Sequence, residues 1–440
     1  MANKNGNLTI GPDQNVPTSQ AIILGLQHVL AMDVYVPPFI IATSLALSSS
    51  DASGLIQSTF LGAGLATLVQ VLFFMKLPVC QGPSFVPIGA IIGIYLGTSG
   101  KMGSVLGACL VGAIIVTLFG FLGVYQWIVK TFIPPLVSGT IITIVGLSLI
   151  PSALKDNIYT VTKNGPSLSQ NITLAIITGI TLIFCSMISD YLPKWGKFFR
   201  IASVIIALFV GCVFASFMGV LNLSSVSSAP LFSIPHIAFI NYHLSFSWST
   251  ILTMLIIYMV LLAETTGTWF AVSSVIDEPL SDKQINHGVI GEGVGCILAA
   301  LGGATPVTGY STNAGVISIT GVASRKVFVF AGVWFVILSF IGKLSALINA
   351  IPAAVIGGVF AIVTIIIMLS GFRVIKNYDF NEREMYVVGI PLVFALALIF
   401  LPSSATTHLP QFLKFLFDSP VAIGAIIAII MNKVLPEKNA

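Results

Sequence analysis

Long, uninterrupted apolar runs constrain this chain more than any other feature of its sequence. Of its 440 residues, 56% are hydrophobic and only 8% are charged, whereas soluble domains carry about 25% charged residues. Lipid must therefore cover much of the surface. A backbone in lipid has to satisfy its own hydrogen bonds, which leaves helices or a closed barrel. Because the apolar runs are continuous and do not alternate, they predict helices.

Fourteen apolar segments divide the sequence, and a helix needs roughly 20 residues to cross a bilayer. Two of the segments, 84–98 and 310–323, are too short to cross as plain helices. The other predicted spans are 20–45, 53–75, 104–125, 134–151, 169–189, 199–220, 247–275, 285–304, 327–349, 352–371, 385–401 and 419–435. We therefore expect an all-α integral membrane protein with fourteen transmembrane segments.

The basic residues predict an orientation. With the N-terminus inside, 14 of the 19 lysines and arginines fall on the cytoplasmic side of the predicted spans, as expected for loops that stay in the cytoplasm. Residues 1–19 are polar with a single lysine, which is not the pattern of a cleavable signal peptide. We expect a multi-pass protein of the plasma (inner) membrane with both termini in the cytoplasm.

An internal repeat relates the two halves. The segment 133–139 recurs in altered form at 351–357, and a Pro-Val pair at 78–79 and again at 306–307 precedes the short third span of each half. Seven spans is an odd number, so the second half is inverted relative to the first. Inverted repeats with broken helices at matching positions are typical of secondary transporters, whose substrate binds near the midplane.

Glu264 and Asp33 are the clearest ionisable residues deep within predicted spans. A charge at the bilayer centre costs at least about 2.5–3.5 kcal/mol on insertion scales, so such residues usually face a cavity. Thr265 and Thr268 follow Glu264, and Gly267 permits close approach. These residues predict a polar lining, against the alternative of a protonated glutamate bonded between helices. Asp33 is either a substrate or proton group or a partner of a helix terminus.

Two other ionisable residues are weaker candidates. A lone histidine such as His28 on an apolar helix is more often a structural group, and proton coupling is its second interpretation. Glu292 lies near a predicted helix start, so we interpret it as a capping or interfacial acid.

Two segments rich in glycine and polar residues, 81–85 and 305–315, lie at membrane depth. Irregular backbone is tolerated there only where it lines a cavity or is buried in protein. Its free N–H and C=O groups, with helix N-termini behind them, suit a planar solute with alternating donors and acceptors. Phe85 and Tyr35 are candidates to stack on such a ring, with packing in lipid or core as the alternative.

The sequence argues against other classes of protein. Residues 291–295 resemble a phosphate loop but lack the preceding strand and the Lys-Ser/Thr pair. The five cysteines show neither disulfide nor metal spacing, and the net charge of +4 is scattered and gives no nucleic-acid signal. We expect no catalytic residues, no metal and no cofactor, and uphill transport would draw on an ion gradient.

Three features resemble the nucleobase–ascorbate transporter family, also called the second nucleobase–cation symporter family. These are Gln27-His28 in the first span, Glu264 in the eighth, and residues 313–321, which match the pattern Asn-x-Gly-x4-Thr-Arg/Lys/Gly. The resemblance runs through essentially the whole chain. The Glu-Thr-Thr-Gly sequence that starts at Glu264, together with Gly321, is more similar to the xanthine and urate branch than to the uracil branch.

The resemblance implies a fold of 7+7 inverted repeats with a core domain, a gate domain and short strands interrupting spans 3 and 10. It also implies an elevator-like motion and a homodimer. The implied division is an N-terminal tail (1–19), core spans 1–4 (20–125), gate spans 5–7 (126–220), an extracellular loop (221–246), core spans 8–11 (247–349), gate spans 12–14 (350–435) and a C-terminal tail (436–440).

The resemblance also implies a set of site residues. Ser84 and Phe85 map to the strand of span 3, and Ser311 to that of span 10. The expected substrate-binding residues are Glu264, Phe85, Ser84, Tyr35, Thr268, Ser311, Thr312 and Asn313. Candidates for proton coupling are Glu264, Asp33 and His28, and Gly315, Thr320 and Gly321 belong to the signature. Three positions depart from the pattern: Thr312 replaces Gln or Glu, Thr268 replaces Asp or His, and Asp33 stands where the family is usually apolar.

These features together predict a proton-coupled importer of a purine base, with xanthine or urate favoured. The alternatives are a uracil or other nucleobase permease, sodium coupling, and an anion carrier of the sulfate-permease type on the same fold. An anion carrier should offer a basic residue or a bare helix N-terminus in its pocket, and a buried Glu264 argues against it.

Overall fold

The computed structural model describes residues 8–161, 165–188, 191, 196–376, 378–379, 381–406 and 408–435. The predicted C-terminal tail, 436–440, and the first seven residues of the predicted N-terminal tail lie outside the described residues. The same holds for four lysines used in the orientation argument, Lys4, Lys163, Lys194 and Lys438.

The described part of the chain is helical apart from two three-residue strands. The elements of the first half are α1 (Thr18–Leu30), α2 (Val36–Ser44), α3 (Ser49–Leu72), β1 (Gln81–Pro83), α4 (Ile88–Gly97), α5 (Met102–Leu122), α6 (Val124–Phe132), α7 (Pro135–Pro151), α8 (Leu168–Met187), α9 (Gly196–Ile201), α10 (Ser203–Phe217) and α11 (Ser224–Ser228). Those that follow are α12 (Ala238–Asn241), α13 (Trp248–Ile276), α14 (Asp282–Leu301), β2 (Val307–Gly309), α15 (Thr312–Thr320), α16 (Arg325–Ser339), α17 (Gly342–Asn349), α18 (Ala353–Ile375), α19 (Glu382–Ile399), α20 (Gln411–Phe417) and α21 (Pro420–Val434).

Six helices of the described chain are long and apolar enough to cross a membrane. They are α3, α5, α8, α13, α18 and the continuous segment Pro135–Tyr159, in which a π-helical stretch prolongs α7. Shorter apolar helices include α4, α10 and α21. The protein is therefore an all-helical membrane protein with a short two-stranded sheet, and the count of fourteen spans stays a prediction.

Local sequence explains where the helices break. The first predicted span is two helices, because Pro37 and Pro38 in the first turn of α2 have no N–H to continue α1. Gly303, with φ +76°, ends α14 in the left-handed region that glycine adopts freely. Serine side chains cap other starts: Ser48 accepts from the Asp51 N–H at α3, and Ser281 from the Gln284 N–H at α14.

The helices pack as two groups. Helices α1, α3, α5, α14 and α16 pack on one another, and so do α7, α8, α10, α18, α19 and α21. Glycines permit the close crossings within each group. A Cβ on Gly64 of α3 would lie 2.8 Å from the Gly332 carbonyl oxygen of α16, and one on Gly371 of α18 would lie 2.5 Å from the Gly139 oxygen of α7. The division into a core domain and a gate domain stays a prediction.

Candidate binding site at two paired strands

Two interrupted helices meet at β1 and β2. The strands pair antiparallel, with Gln81 opposite Gly309 and Pro83 opposite Val307. The Ser84 N–H donates to the Pro306 carbonyl at 3.0 Å, and the Tyr310 N–H donates to Cys80 at 3.1 Å. The strands thus end slightly earlier than expected, because Ser84, Phe85 and Ser311 lie just beyond them. Helices α4 and α15 begin within a few residues, so the positive ends of both helix dipoles point toward this region.

Glu264 lies beside the end of β1. Its carboxylate accepts a hydrogen bond of 2.7 Å from the Ser84 hydroxyl, which in turn accepts from the Val86 N–H at 3.1 Å. Ser84 is buried and Glu264 is partly exposed. None of the described residues forms an ion pair with Glu264. The carboxylate can therefore accept further hydrogen bonds from N–H groups of a bound solute.

The two threonines that follow Glu264 hold β2 against α13. The Thr265 hydroxyl accepts from the Gly309 N–H at 3.1 Å, and the Thr268 hydroxyl donates to the Gly309 carbonyl at 3.0 Å. Both side chains are buried. Thr268 was expected to contact substrate, but its hydroxyl is engaged with the strand. The pair satisfies both backbone groups of one strand residue.

Asn313 is buried and joins two elements. Its Oδ1 accepts from the Cys80 N–H at 2.8 Å, and its Nδ2 lies 3.2 Å from the Nδ1 of His28. Because the Cys80 N–H can only donate, the amide oxygen faces Cys80 and the amide nitrogen donates to His28. The histidine ring, itself buried, also packs against Phe328 with centroids 4.3 Å apart. These contacts favour positioning roles for Asn313 and His28.

Aromatic residues surround the strand ends. Phe85 stacks on Phe360 of α18, with ring centroids 6.0 Å apart and an interplanar angle of 18°. The Tyr310 hydroxyl donates to the Pro83 carbonyl at 2.9 Å, and its ring fills the space that a Cβ on Gly82 would need. The Tyr35 hydroxyl is buried and has no hydrogen-bond partner in the part of the chain that the structure describes. Tyr310 was not among the predicted site residues, and its position directly after β2 is the signal that identifies it.

Asp33 lies in the break between α1 and α2 and is partly exposed. The neighbouring Met32 reaches β1, since a Cβ on Gly82 would lie 3.2 Å from the Met32 Cε. The structure thus brings Asp33 to the same region as Glu264, Ser84, Phe85 and Tyr35.

The residues at the start of α15 are mostly exposed, whereas those at its end make contacts within the protein. Ser311, Thr312 and Gly315 are exposed, and no neighbouring atom of the described residues lies within 4 Å of a Cβ built on Gly315. At the far end of α15, the Thr320 hydroxyl bonds the Val316 carbonyl of its own helix at 2.9 Å. Gly321 has φ +71°, and its carbonyl accepts the backbone N–H groups of residues 9 and 10.

The interpretation of Glu292 as a capping or interfacial acid is wrong. Helix α14 begins at Asp282, so Glu292 lies at its middle and is only 1% exposed. The Gln70 amide of α3 donates to its Oε2 at 3.2 Å, while Oε1 has no hydrogen-bond partner among the described residues. Gly291 and Gly293 on either side let α14 pack closely on α3 and α5. An acid between two glycines inside an apolar run was the available signal.

A cavity of about 260 Å³ lies next to Phe85. The ends of α7 and α19, the start of α4, the π-helical stretch Ser152–Tyr159 and the start of α21 line it, and its acidic residues are Asp156 and Asp418. Burial raises the pKa of the Asp418 carboxyl, and the Lys414 ammonium acts in the opposite direction.

The chain matches the model of the xanthine/uracil permeases, described as a permease family, over residues 19–404. It is 31% identical to nucleobase transporter PlUacP of Paenibacillus larvae, covering 94% of each chain. It is 30% identical to uric acid permease PucJ of Bacillus subtilis, covering 93% of this chain and 91% of that one. Xanthine permease XanP of Escherichia coli is 27% identical, with 99% and 96% covered.

Solved structures resemble the fold at low identity. The transmembrane domain of a cyanobacterium bicarbonate transporter, BicA, aligns with a TM-score of 0.63 at 15% identity, covering 95% of this chain and 100% of that one. The murine anion transporter Slc26a9 in its inward-facing state aligns with a TM-score of 0.63 at 12% identity, covering 94% and 68%. These likenesses concern the fold alone.

Proposed function

Because this chain belongs to the xanthine/uracil permease family, we propose that it is a secondary active transporter that imports a purine nucleobase, with xanthine or urate favoured. The observation that carries the proposal is the Ser84–Glu264 hydrogen bond at the meeting of two interrupted helices. A carboxylate held by one hydroxyl keeps acceptor capacity for ring N–H groups. The similarity to uric acid and xanthine permeases supports a purine.

The protein would recognise the base at two of its edges. Glu264 would accept hydrogen bonds from ring N–H groups on one edge, and backbone groups near Phe85 and from Ser311 to Thr312 would meet the other. Phe85 and Tyr35 would pack on the ring faces. The apolar area of these rings suits a flat solute, and the positive ends of the two helix dipoles suit acceptor groups on its edge.

Proton coupling and alternating access complete the proposal. Glu264, Asp33 and Glu292 are acids at membrane depth without an ion-pair partner among the described residues, which makes them the candidates for carrying the coupling proton. The packing of the helices as two groups supports an elevator-like movement of the group that carries β1 and β2 against the other. We further propose a homodimer in the plasma membrane with both termini cytoplasmic.

Sodium coupling and a uracil substrate are alternatives within this proposal. An anion carrier is a second candidate, because the chain shares its fold with a bicarbonate transporter and the N-termini of α4 and α15 point toward the site. The carboxylate of Glu264 argues against an anionic substrate. In addition, no described lysine or arginine forms an ion pair with Glu264 or lines the neighbouring cavity.

Uptake tests the proposal. The protein would be expressed in cells lacking their own base permeases, and radiolabelled xanthine followed at acidic and alkaline external pH. We expect uptake that rises at acidic pH and is blocked by unlabelled oxopurines but not by uracil. Normal expression without xanthine uptake, or transport of uracil alone, would overturn the purine assignment. A requirement for sodium would replace the proton.

A further inference from the structure

The connection between α10 and α13 carries no charge. Residues 201–263 contain no aspartate, glutamate, lysine or arginine, although this run includes the predicted extracellular loop, 221–246. Surfaces that face water carry many charged residues, since about 25% of the residues of a soluble domain are charged. The second part of the connection, residues 231–248, is rich in aromatic and aliphatic side chains. We call these residues the connecting segment, and its composition is that of chain in contact with lipid.

The connecting segment turns polar groups of its backbone toward the protein. The Ser233 N–H donates to the Phe340 carbonyl, directly after α16, at 3.0 Å. The Ser58 hydroxyl of α3 donates to the His236 carbonyl at 2.8 Å. The His236 ring also occupies the space that a Cβ on Gly54 would need, so the segment packs directly on α3. These contacts fix the connecting segment to the body of the protein without using water.

The large apolar side chains of the same segment are exposed. They include Phe232, Ile234, Phe239, Ile240, Phe246 and Trp248. The exposed fraction reaches 76% at Ile240 and 79% at Trp248. A loop in water has the opposite arrangement, because its backbone groups bond to solvent and its large apolar side chains pack inward. Irregular chain that lies against lipid needs the arrangement found here, with the backbone satisfied by protein.

The start of α13 places the connecting segment at headgroup level. Helix α13 runs from Trp248 to Ile276 and has 29 residues. At 1.5 Å per residue it is about 43 Å long, close to the roughly 40–45 Å of a bilayer with its headgroup regions. A helix of this length begins among the headgroups, where tryptophan is enriched. Leu252, one turn after Trp248, is also exposed, so the apolar surface of the segment continues onto the membrane-spanning helix.

We propose that the connecting segment lies on the bilayer as an interfacial anchor, with its exposed aromatic and aliphatic side chains at the boundary between headgroups and acyl chains. Its partner is therefore the lipid surface, and only the preceding serine-rich part of the connection, 222–228, faces water. Because the segment carries no charged residue, its attachment depends on apolar burial and not on anionic headgroups. The proposal holds whatever base the protein carries.

Spin labels in reconstituted protein test this placement. Phe239→Cys and Ile240→Cys would each be labelled with a nitroxide in phosphatidylcholine vesicles. The matched control is Ser228→Cys, an exposed position in the serine-rich part of the same connection. Four of the native cysteines are buried and Cys212 is half-buried, so wild type treated in the same way gives the background. Power saturation then compares collisions with oxygen, which concentrates in lipid, and with a water-soluble nickel chelate.

The labels at 239 and 240 should collide mainly with oxygen, and the label at 228 mainly with the nickel chelate. The ratio of the two collision rates should therefore be several times higher at 239 and 240 than at 228. Adding phosphatidylserine to the vesicles should leave these ratios unchanged, because no charge attracts the segment to anionic lipid. If Phe239→Cys fails to reconstitute, Phe246→Cys should give the same result.

Two results would overturn the proposal. Collisions mainly with the nickel chelate at both apolar positions, in folded and reconstituted protein, would place the connecting segment in water. Low collision rates with both reagents, together with spin–spin broadening between labels, would mean that a second copy of the chain covers this face. Neither result depends on uptake, so the proposed function is tested separately.

Discussion

The Ser84 hydroxyl donates to the Glu264 carboxylate across 2.7 Å and so joins the end of β1 to the middle of α13. The contact fixes the direction in which the carboxylate presents its remaining lone pairs. It also links β1 to α13, the helix whose threonines hold β2 through Gly309.

Replacing Ser84 with alanine should weaken substrate binding without removing it. A hydrogen bond to a charged group contributes about 1.5–3 kcal/mol, and part of that would appear as a roughly tenfold rise in the KM for xanthine uptake. Ser370→Ala is the matched control, since that hydroxyl bonds only the backbone of its own helix. An unchanged KM in Ser84→Ala would mean that Glu264 is positioned by other groups.

Replacing Thr268 with valine should loosen β2 rather than remove a substrate contact. Valine keeps the shape but leaves the Gly309 carbonyl without the hydroxyl donor, at a cost of about 1–3 kcal/mol. Thermal unfolding of the purified protein should show a lower Tm than for Thr140→Val, a buried threonine that bonds only its own helix. A change in substrate selectivity with unaltered Tm would instead assign Thr268 to the binding surface.

Replacing His28 with glutamine tests whether the histidine carries the coupling proton. Glutamine retains an acceptor for the Asn313 amide, so a positioning role predicts a changed KM or expression level with acid stimulation of uptake intact. The control is His287→Gln, an exposed histidine on α14. Loss of the acid stimulation in His28→Gln alone would contradict a positioning role and favour proton transfer through the ring.

Replacing Glu292 with glutamine should separate coupling from translocation. The amide keeps the size of the side chain and an acceptor for Gln70 but cannot exchange a proton. We expect loss of uphill accumulation with retained exchange of labelled for unlabelled xanthine, measured by counterflow in loaded cells. Full accumulation by the variant would show that the coupling ion bypasses Glu292.

Composition and proline positions sufficed to predict the helical membrane fold and the two short interrupted segments, since these follow from local chemistry. The two short strands were implied by the family resemblance and not by composition, and the structure brings Ser84 and Glu264 together beside them. The roles of Thr268 and Asn313 could not be predicted in this way, because the sequence around a hydroxyl or an amide does not show which group it will hydrogen-bond. Their partners, Gly309 and the Cys80 N–H, come from the pairing of two distant segments.

Glu292 shows a different limit. The predicted span began at residue 285, whereas the helix begins at Asp282. This shift of less than one turn placed Glu292 near the predicted helix start, although it lies at the middle of the helix. Burial at this position depends on three helices meeting through Gly291 and Gly293, which no single segment reveals.

The most direct test of the central claim is binding of labelled xanthine to purified protein in wild type, Glu264→Gln and the control Glu278→Gln, an exposed acid after α13. In Glu264→Gln the side-chain amide would place an N–H donor against an N–H donor of the base, so the affinity for xanthine should fall at least about 100-fold. The affinity of Glu278→Gln should be unchanged. Thermal unfolding should show that both variants are folded. Wild-type affinity in a folded Glu264→Gln protein would contradict the assignment of the binding site to Glu264.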